Sequence, residues 1–204
     1  MSSASTTPTP KYYTLERNPE FGAVISSLVD LAGLSSTVTV VIGASDKSLA
    51  RLHSSGALSP AGDESKQQID MMFLDHYKPA YTTDLKLCEE LSLIRPGTVL
   101  CADNVIKPGN PPYLEYVRSS VADKKAAAKN AGKEDGEGKN GHVGVDARFA
   151  DRSANQYNKR EGMAKLDVTR VGNPGLVYES RLVNSYEPTG VPDGVEITRC
   201  VGEE

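Results

Sequence analysis

Ile69-Asp70-Met71-Met72-Phe73-Leu74-Asp75-His76-Tyr77-Lys78 is the stretch that decides the fold. Its first six residues are nearly all apolar, the pattern of a strand buried on both faces of a parallel sheet. The run then breaks abruptly into Asp75-His76-Tyr77-Lys78. Downstream, Thr82 to Leu91 has apolar Leu85, Leu87, Cys88 and Leu91 and reads as a helix. Arg95-Pro96-Gly97 is a turn, and Thr98 to Ala102 is a second buried strand ending in Asp103-Asn104. Pro112 to Ser119 suits a short helix. Upstream, Lys11 to Glu16 has two tyrosines and a threonine and suits a strand. Asn18-Pro19 opens a helix whose apolar Phe21, Val24, Ile25, Leu28, Val29 and Leu31 recur at helical spacing, with Gly33 placed for a C-cap. Thr37 to Ile42 is a β-branched strand ending at Gly43, and Ser45 to His53 a short helix. Strands alternating with helices imply an α/β sandwich.

The composition then changes. Ala122 to Asn140 is almost all Lys, Ala, Gly, Glu, Asp and Asn, and polar sequence continues to about Lys165. Such a stretch buries too little apolar surface to offset its ordering entropy, so 122–165 reads as a disordered insertion, with Ala126 to Lys129 transiently helical. Val177 to Asn184 and Val195 to Val201 read as two strands joined through Pro188 and Pro192-Asp193-Gly194, a hairpin at the end of the sheet. Residues 1–10, rich in Ser, Thr and Pro, read as a disordered lead-in, which leaves 11–204 as one domain.

Bulk properties exclude several classes. With 204 residues, 38% hydrophobic and 25% charged, the chain is long enough and apolar enough for one soluble core. A formal charge of −4 gives no reason to expect nucleic acid or an anionic membrane as partner. Cys88, Cys101 and Cys200 are widely spaced with no CxxC pair, which points to a reducing compartment. No apolar run approaches the roughly 18 residues of a membrane span, and the N-terminus lacks a secretory pattern. A cytoplasmic location is expected.

Ligands of open parallel sheets sit beyond the carboxyl ends of the strands. Three strands here end in polar residues: Glu16, Asp75-His76-Tyr77-Lys78 and Asp103-Asn104. Carboxylates and an amide at neighbouring strand ends suit a hard cation such as Mg²⁺, and an adjacent Lys could act as a base. The same residues could equally cap the helices that follow.

At this point the sequence resembles a known family. Phe73 to Lys78, Gly97 to Ile106 and Pro108-Gly109 are similar to the animal and fungal catechol O-methyltransferases. Glu16-Arg17-Asn18-Pro19, Ala32-Gly33-Leu34, Gly43-Ala44-Ser45, Ser185-Tyr186-Glu187 and Asp193-Gly194-Val195-Glu196 follow the same order. The resemblance covers about 11–120 and 176–201. It implies a Rossmann-like class I methyltransferase fold, a mostly parallel sheet with a C-terminal antiparallel hairpin. It implies methyl transfer from S-adenosylmethionine to a catechol hydroxyl, assisted by Mg²⁺. Asp75, Asp103 and Asn104 match the metal ligands, Lys78 the general base, and Glu187 the acid that binds the second catechol hydroxyl. Glu16 matches the ribose-binding acid, Ser45 and Asp46 the adenine contacts, and Asp75, His76 and Tyr77 further cofactor contacts. Pro108 matches a residue beside the catechol ring. Two positions depart from the family: Asp46 stands where Gln is usual and Tyr77 where Trp is common. Lys78 takes a proton only as a free amine, a state that a nearby cation and burial favour.

In the family a strand and a glycine-rich turn precede the strand that ends at Glu16, and that strand lies mid-sheet between those ending at Glu16 and Asp75. Met1 to Pro10 has no glycine and supplies neither. The expectation is therefore a sheet lacking the first strand. Two functions stay open: a catechol O-methyltransferase, or a catalytically impaired fragment or pseudoenzyme that retains the metal and catechol half of the site. The oligomeric state is not legible.

Overall fold

The computed structural model describes residues 10–59, 66–131 and 166–204. The expected disordered lead-in and most of the expected insertion, 132–165, fall outside them. The chain forms two compact units, one running to Gln68 and the other from Ile69 to Glu204.

In the first unit, β1 (Tyr12–Glu16) and β2 (Val38–Ile42) pair in parallel, in register from Tyr12↔Val38 to Glu16↔Ile42. Helix α1 (Pro19–Leu31) links them in the crossover that a parallel pair requires. Its start is written locally: the Asn18 side chain caps the backbone amides of Glu20 and Phe21, and Pro19 occupies the first turn. Gly22 lets α1 lie close to β2, since a Cβ there would come within 2.1 Å of the Ile42 Cδ1 and push the end of that side chain aside. Helix α2 (Ser45–Ser54) follows β2, and the Tyr13 hydroxyl donates to Ala57 O at 2.9 Å.

The second unit has a four-stranded sheet in the order β3-β4-β6-β5. Strands β3 (Met71–Leu74) and β4 (Val99–Ala102) are parallel, with α3 (Ala80–Glu90) between them in sequence. After β4 come an irregular turn at Val105–Gly109, α4 (Pro111–Arg118) and α5 (Val121–Ala131). Strands β5 (Leu176–Tyr186) and β6 (Pro192–Glu203) form the expected hairpin, and β6 runs antiparallel to β4. The core gathers Leu74, Tyr81, Leu85, Cys88, Leu93, Leu100, Val117 and Leu176. Across the hairpin, Glu196 is fully buried and forms a two-pronged ion pair with Arg118, 2.7 Å at each oxygen.

Among the described residues β1 pairs only with β2 and β3 only with β4, so the strands form two sheets, the pattern expected of a fold that lacks its first strand. Two features differ from the sequence reading. Burial of β3 on both faces is not found: Met71 and Phe73 are 62% and 52% exposed. Alternation carries both side chains to one face of β3, and no described element covers that face. The β-branched Thr37–Ile42 run likewise buries only Val41. Finally, 121–131 is helical although it begins the stretch expected to be unstructured. The reason is a tertiary contact invisible to composition. Lys124 is buried, donates to Leu176 O and lies 4.5 Å and 5.6 Å from the ring centroids of Tyr178 and Tyr116.

Those two tyrosines also donate to Glu89 at the end of α3, at 2.5 Å each, and the Asn173 amide donates to it at 2.9 Å. Burial raises the Glu89 carboxyl above its ordinary value, against the pull of these donors and of Lys124. The folded chain thus keeps a proton there that the unfolded chain releases, so this group's contribution to stability is fullest below the unfolded value of 4.5 and declines as pH rises through the folded one. Glu89→Gln removes that titration. Urea midpoints measured from acid to neutral pH should show the wild type losing ground to the variant as pH rises; a constant difference would refute the shift.

Candidate active site

The site is built on strand ends. The register Leu74↔Ala102 brings the end of β3 beside the end of β4, and the Asp103 amide donates to Leu74 O at 2.9 Å. Asp75 and Asp103 therefore leave neighbouring strands side by side. Lys78 follows Asp75 by three residues, and its ammonium donates to Asp75 Oδ1 at 3.0 Å and to the Tyr81 hydroxyl at 2.7 Å. Lys78 is buried and Asp75 half exposed. The Asn110 side chain donates to Lys78 O at 2.8 Å, which fixes the backbone beneath the amine.

Asn104 sits in the left-handed region, φ 55°, which Asn tolerates better than most residues. Its Nδ2 donates to Glu187 Oε1 at 2.5 Å and to Asp193 Oδ2 at 2.9 Å. Glu187 thus comes from the β5–β6 turn to meet the end of β4. Loss of hydration raises the Glu187 carboxyl, and the carboxylates of Asp193 and Asp103 add to that rise. Burial works to raise Asp193 as well, but donors from Asn104, Gly194, Lys107 and Ile106 together hold it below its ordinary value. Asn104, Lys107, Pro108, Glu187, Thr189 and Val191 line an open depression of about 680 Å³.

His76 is placed by its neighbours: its Nε2 lies 2.8 Å from Asp84 Oδ2 and its ring stacks on Tyr81, centroids 4.9 Å apart. Tyr77 is the next residue on the same turn, and its carbonyl accepts from the Ala80 amide. In the first unit, Glu16 ends β1 with its Oε1 accepting from the Asn18 amide at 2.7 Å. Ser45 and Asp46 begin α2 just after β2, at the same end of that sheet, because Glu16 pairs with Ile42. The structure thus brings Asp75, Lys78, Asp103, Asn104 and Glu187 together in one unit and Glu16, Ser45 and Asp46 in the other.

No cluster of three or more His, Cys, Asp or Glu side chains that could hold a metal occurs among the described residues. The set expected from the sequence has two carboxylates and one amide. Its chemistry suits a hard cation: all three offer oxygen, and the Asn104 nitrogen is taken up by acceptors. Sequence reasoning assigned no role to Tyr81, Asp84 or Asp193. Tyr81 stands three residues after Lys78, just before the helix expected from Thr82, and the structure starts that helix at Ala80. Asp193 read as a turn residue, because Pro-Asp-Gly is turn chemistry.

The fold is the Rossmann-like class I methyltransferase fold. An O-methyltransferase-described protein from Klebsiella pneumoniae aligns with a TM-score of 0.50 and 17% identity, over 93% of this chain and 61% of that one. The cofactor-bound Rv0187 from MTB aligns with a TM-score of 0.50 and 20% identity, over 95% and 62%. At the level of sequence the chain is similar to catechol O-methyltransferases: the Bos taurus protein is 43% identical over 113 residues, 55% of this chain and 39% of that protein. The chain thus spans about two fifths of the length of that relative. No family model matches. Among the described residues no helix is long and apolar enough to cross a membrane.

Tyr81→Phe should cost about 1–3 kcal/mol in urea unfolding, because the buried Lys78 ammonium loses a partner. Unchanged stability would show that the hydroxyl does not hold the amine.

Proposed function

We propose that the chain is an S-adenosylmethionine-dependent O-methyltransferase acting on a catechol with the help of Mg²⁺. The observation that carries this reading is the meeting of Asp75 and Lys78 at the end of β3 with Asp103 and Asn104 at the end of β4, beside Glu187. Asp75, Asp103 and Asn104 would hold the cation. When bound, S-adenosylmethionine supplies an electrophilic methyl group and Mg²⁺ a positive charge that favours loss of a phenol's proton. Lys78 takes that proton at Nζ. Glu187 accepts a hydrogen bond from the catechol's second hydroxyl and so sets which oxygen is presented. Pro108, on the wall of the depression beside Glu187, limits how the ring lies. Tyr81 and Asp75 hold Lys78 in place before the proton moves, an orientation effect that can supply several kcal/mol. Glu16 is proposed for the ribose hydroxyls, Ser45 and Asp46 for adenine, and Asp75, His76 and Tyr77 for the remainder of the cofactor. We place the protein in the cytoplasm, with a small catechol as its substrate.

A second reading, a chain with the metal and catechol half and little methyl transfer, is favoured by the sheet pattern, in which among the described residues β1 and β3 are each paired on one side only. Calorimetry separates the two: micromolar binding of S-adenosylmethionine supports the enzyme, and none at millimolar concentration supports the second reading.

With catechol, S-adenosylmethionine and Mg²⁺, Lys78→Ala should lower turnover by about 10²–10⁴-fold, the usual worth of a general base, and leave cofactor affinity unchanged. Full activity would remove Lys78 from that role. Asp75→Ala should abolish the Mg²⁺ requirement together with turnover; retained Mg²⁺-stimulated turnover would refute the ligand assignment.

A further inference from the structure

We infer that Asp193 is a positioning residue that fixes which face of the Asn104 amide is offered to a cation. This rests on the metal reading above and extends it to a side chain outside the expected ligand set.

Asp193 is 4% exposed, at the start of β6. Its two oxygens divide the labour. Oδ1 accepts from the Ile106 and Lys107 amides at 3.1 Å each and from the Gly194 amide at 2.7 Å. Those bonds tie the turn after β4 to the hairpin. Oδ2 accepts from Asn104 Nδ2 at 2.9 Å, and Glu187 Oε1 takes the same nitrogen at 2.5 Å.

An amide has two donor hydrogens on one side and a carbonyl oxygen on the other. An ionised carboxylate only accepts, so both acceptors must face the NH₂ group. The Asn104 carbonyl is thereby turned away from them, and no described residue donates to it. The distinction matters for metal binding, because a hard cation takes the oxygen and not the protonated nitrogen. Oxygen and nitrogen ends are nearly the same shape, so packing alone selects between the two flips weakly. The acceptors make the selection. Asp193 is the anchored one of the pair: it is held by three backbone amides, whereas Glu187 sits on an exposed turn.

The isostere Asp193→Asn separates this role from a merely structural one. Its carbonyl oxygen can still accept from the Ile106, Lys107 and Gly194 amides, so the turn stays tied. Its NH₂ then faces Asn104, where it calls for an oxygen and favours the opposite flip.

The test uses the whole chain and two readouts. In the first, Mn²⁺ is titrated and followed by electron paramagnetic resonance. The expected result is binding by the wild type, loss in Asp75→Ala, and a weakening of about 10–100-fold in Asp193→Asn, the usual effect of removing a residue that orients a ligand. Folding measured by urea midpoint should change little. The ratio of the two affinities should persist at high salt, since screening narrows a gap caused by charge but not one caused by a wrong flip. In the second, the Asn104 side-chain amide is observed by NMR without metal. The wild type should show a shifted, slowly exchanging NH₂ pair, and Asp193→Asn should lose it. If Asp193→Asn fails to fold, the wild-type NH₂ pair decides the question: a rapidly exchanging, solvent-like signal overturns the inference. Wild-type Mn²⁺ affinity in a folded Asp193→Asn overturns it and leaves the metal reading standing. No Mn²⁺ binding by the wild type overturns both.

Discussion

Register between two short parallel strands decides which side chains meet at the candidate site. Because Leu74 pairs with Ala102, the residues just past each strand emerge next to one another, and both are aspartates. A shift of one residue would send every side chain of one strand to the opposite face. The register is held on its far side by β6, which pairs along the whole of β4 from Ala102↔Glu196 to Val99↔Arg199. The hairpin therefore serves the site twice: it fixes β4, and its turn delivers Glu187 and Asp193 to Asn104.

Around this frame, the buried charged side chains among the described residues are paired. Lys78 is satisfied by Asp75 and Tyr81, Asp84 by His76, and Glu196 by Arg118 and Ser180. Buried polar groups without partners would each cost free energy, and their pairing also limits the alternative packings open to the chain. A consequence is that the polar cluster at the strand ends is preorganised by contacts that belong to the fold itself.

The sequence made much of this legible. The apolar run at Ile69–Leu74 located β3, the polar residues that follow marked the turn it leads into, and Asn18-Pro19 marked the start of α1 to the residue. Glu187 was singled out by the resemblance alone; no local pattern in its Pro/Gly-rich surroundings pointed to its contact with Asn104. What periodicity could not supply was pairing at a distance. Met71 and Phe73 look like core residues in any window, yet their exposure depends on which strands lie alongside. Composition also misjudged 121–131, because the burial of Lys124 depends on tyrosines from α4 and β5 far along the chain. Asp193 was hidden in the same way, as its four donors come from residues 104–107 and 194.

The acidic pair that ends α3 has an effect on how the chain is held. Glu89 and Glu90 accept the amides of Val171, Gly172 and Asn173, and Glu90 also binds Arg170 at 2.6 Å. On the other flank, Lys124 of α5 reaches Leu176 O. The chain on either side of 132–165 is therefore pinned to the second unit by its own bonds. Each flank accordingly keeps its place by contacts of its own, and neither relies on covalent continuity with the other to stay against the second unit.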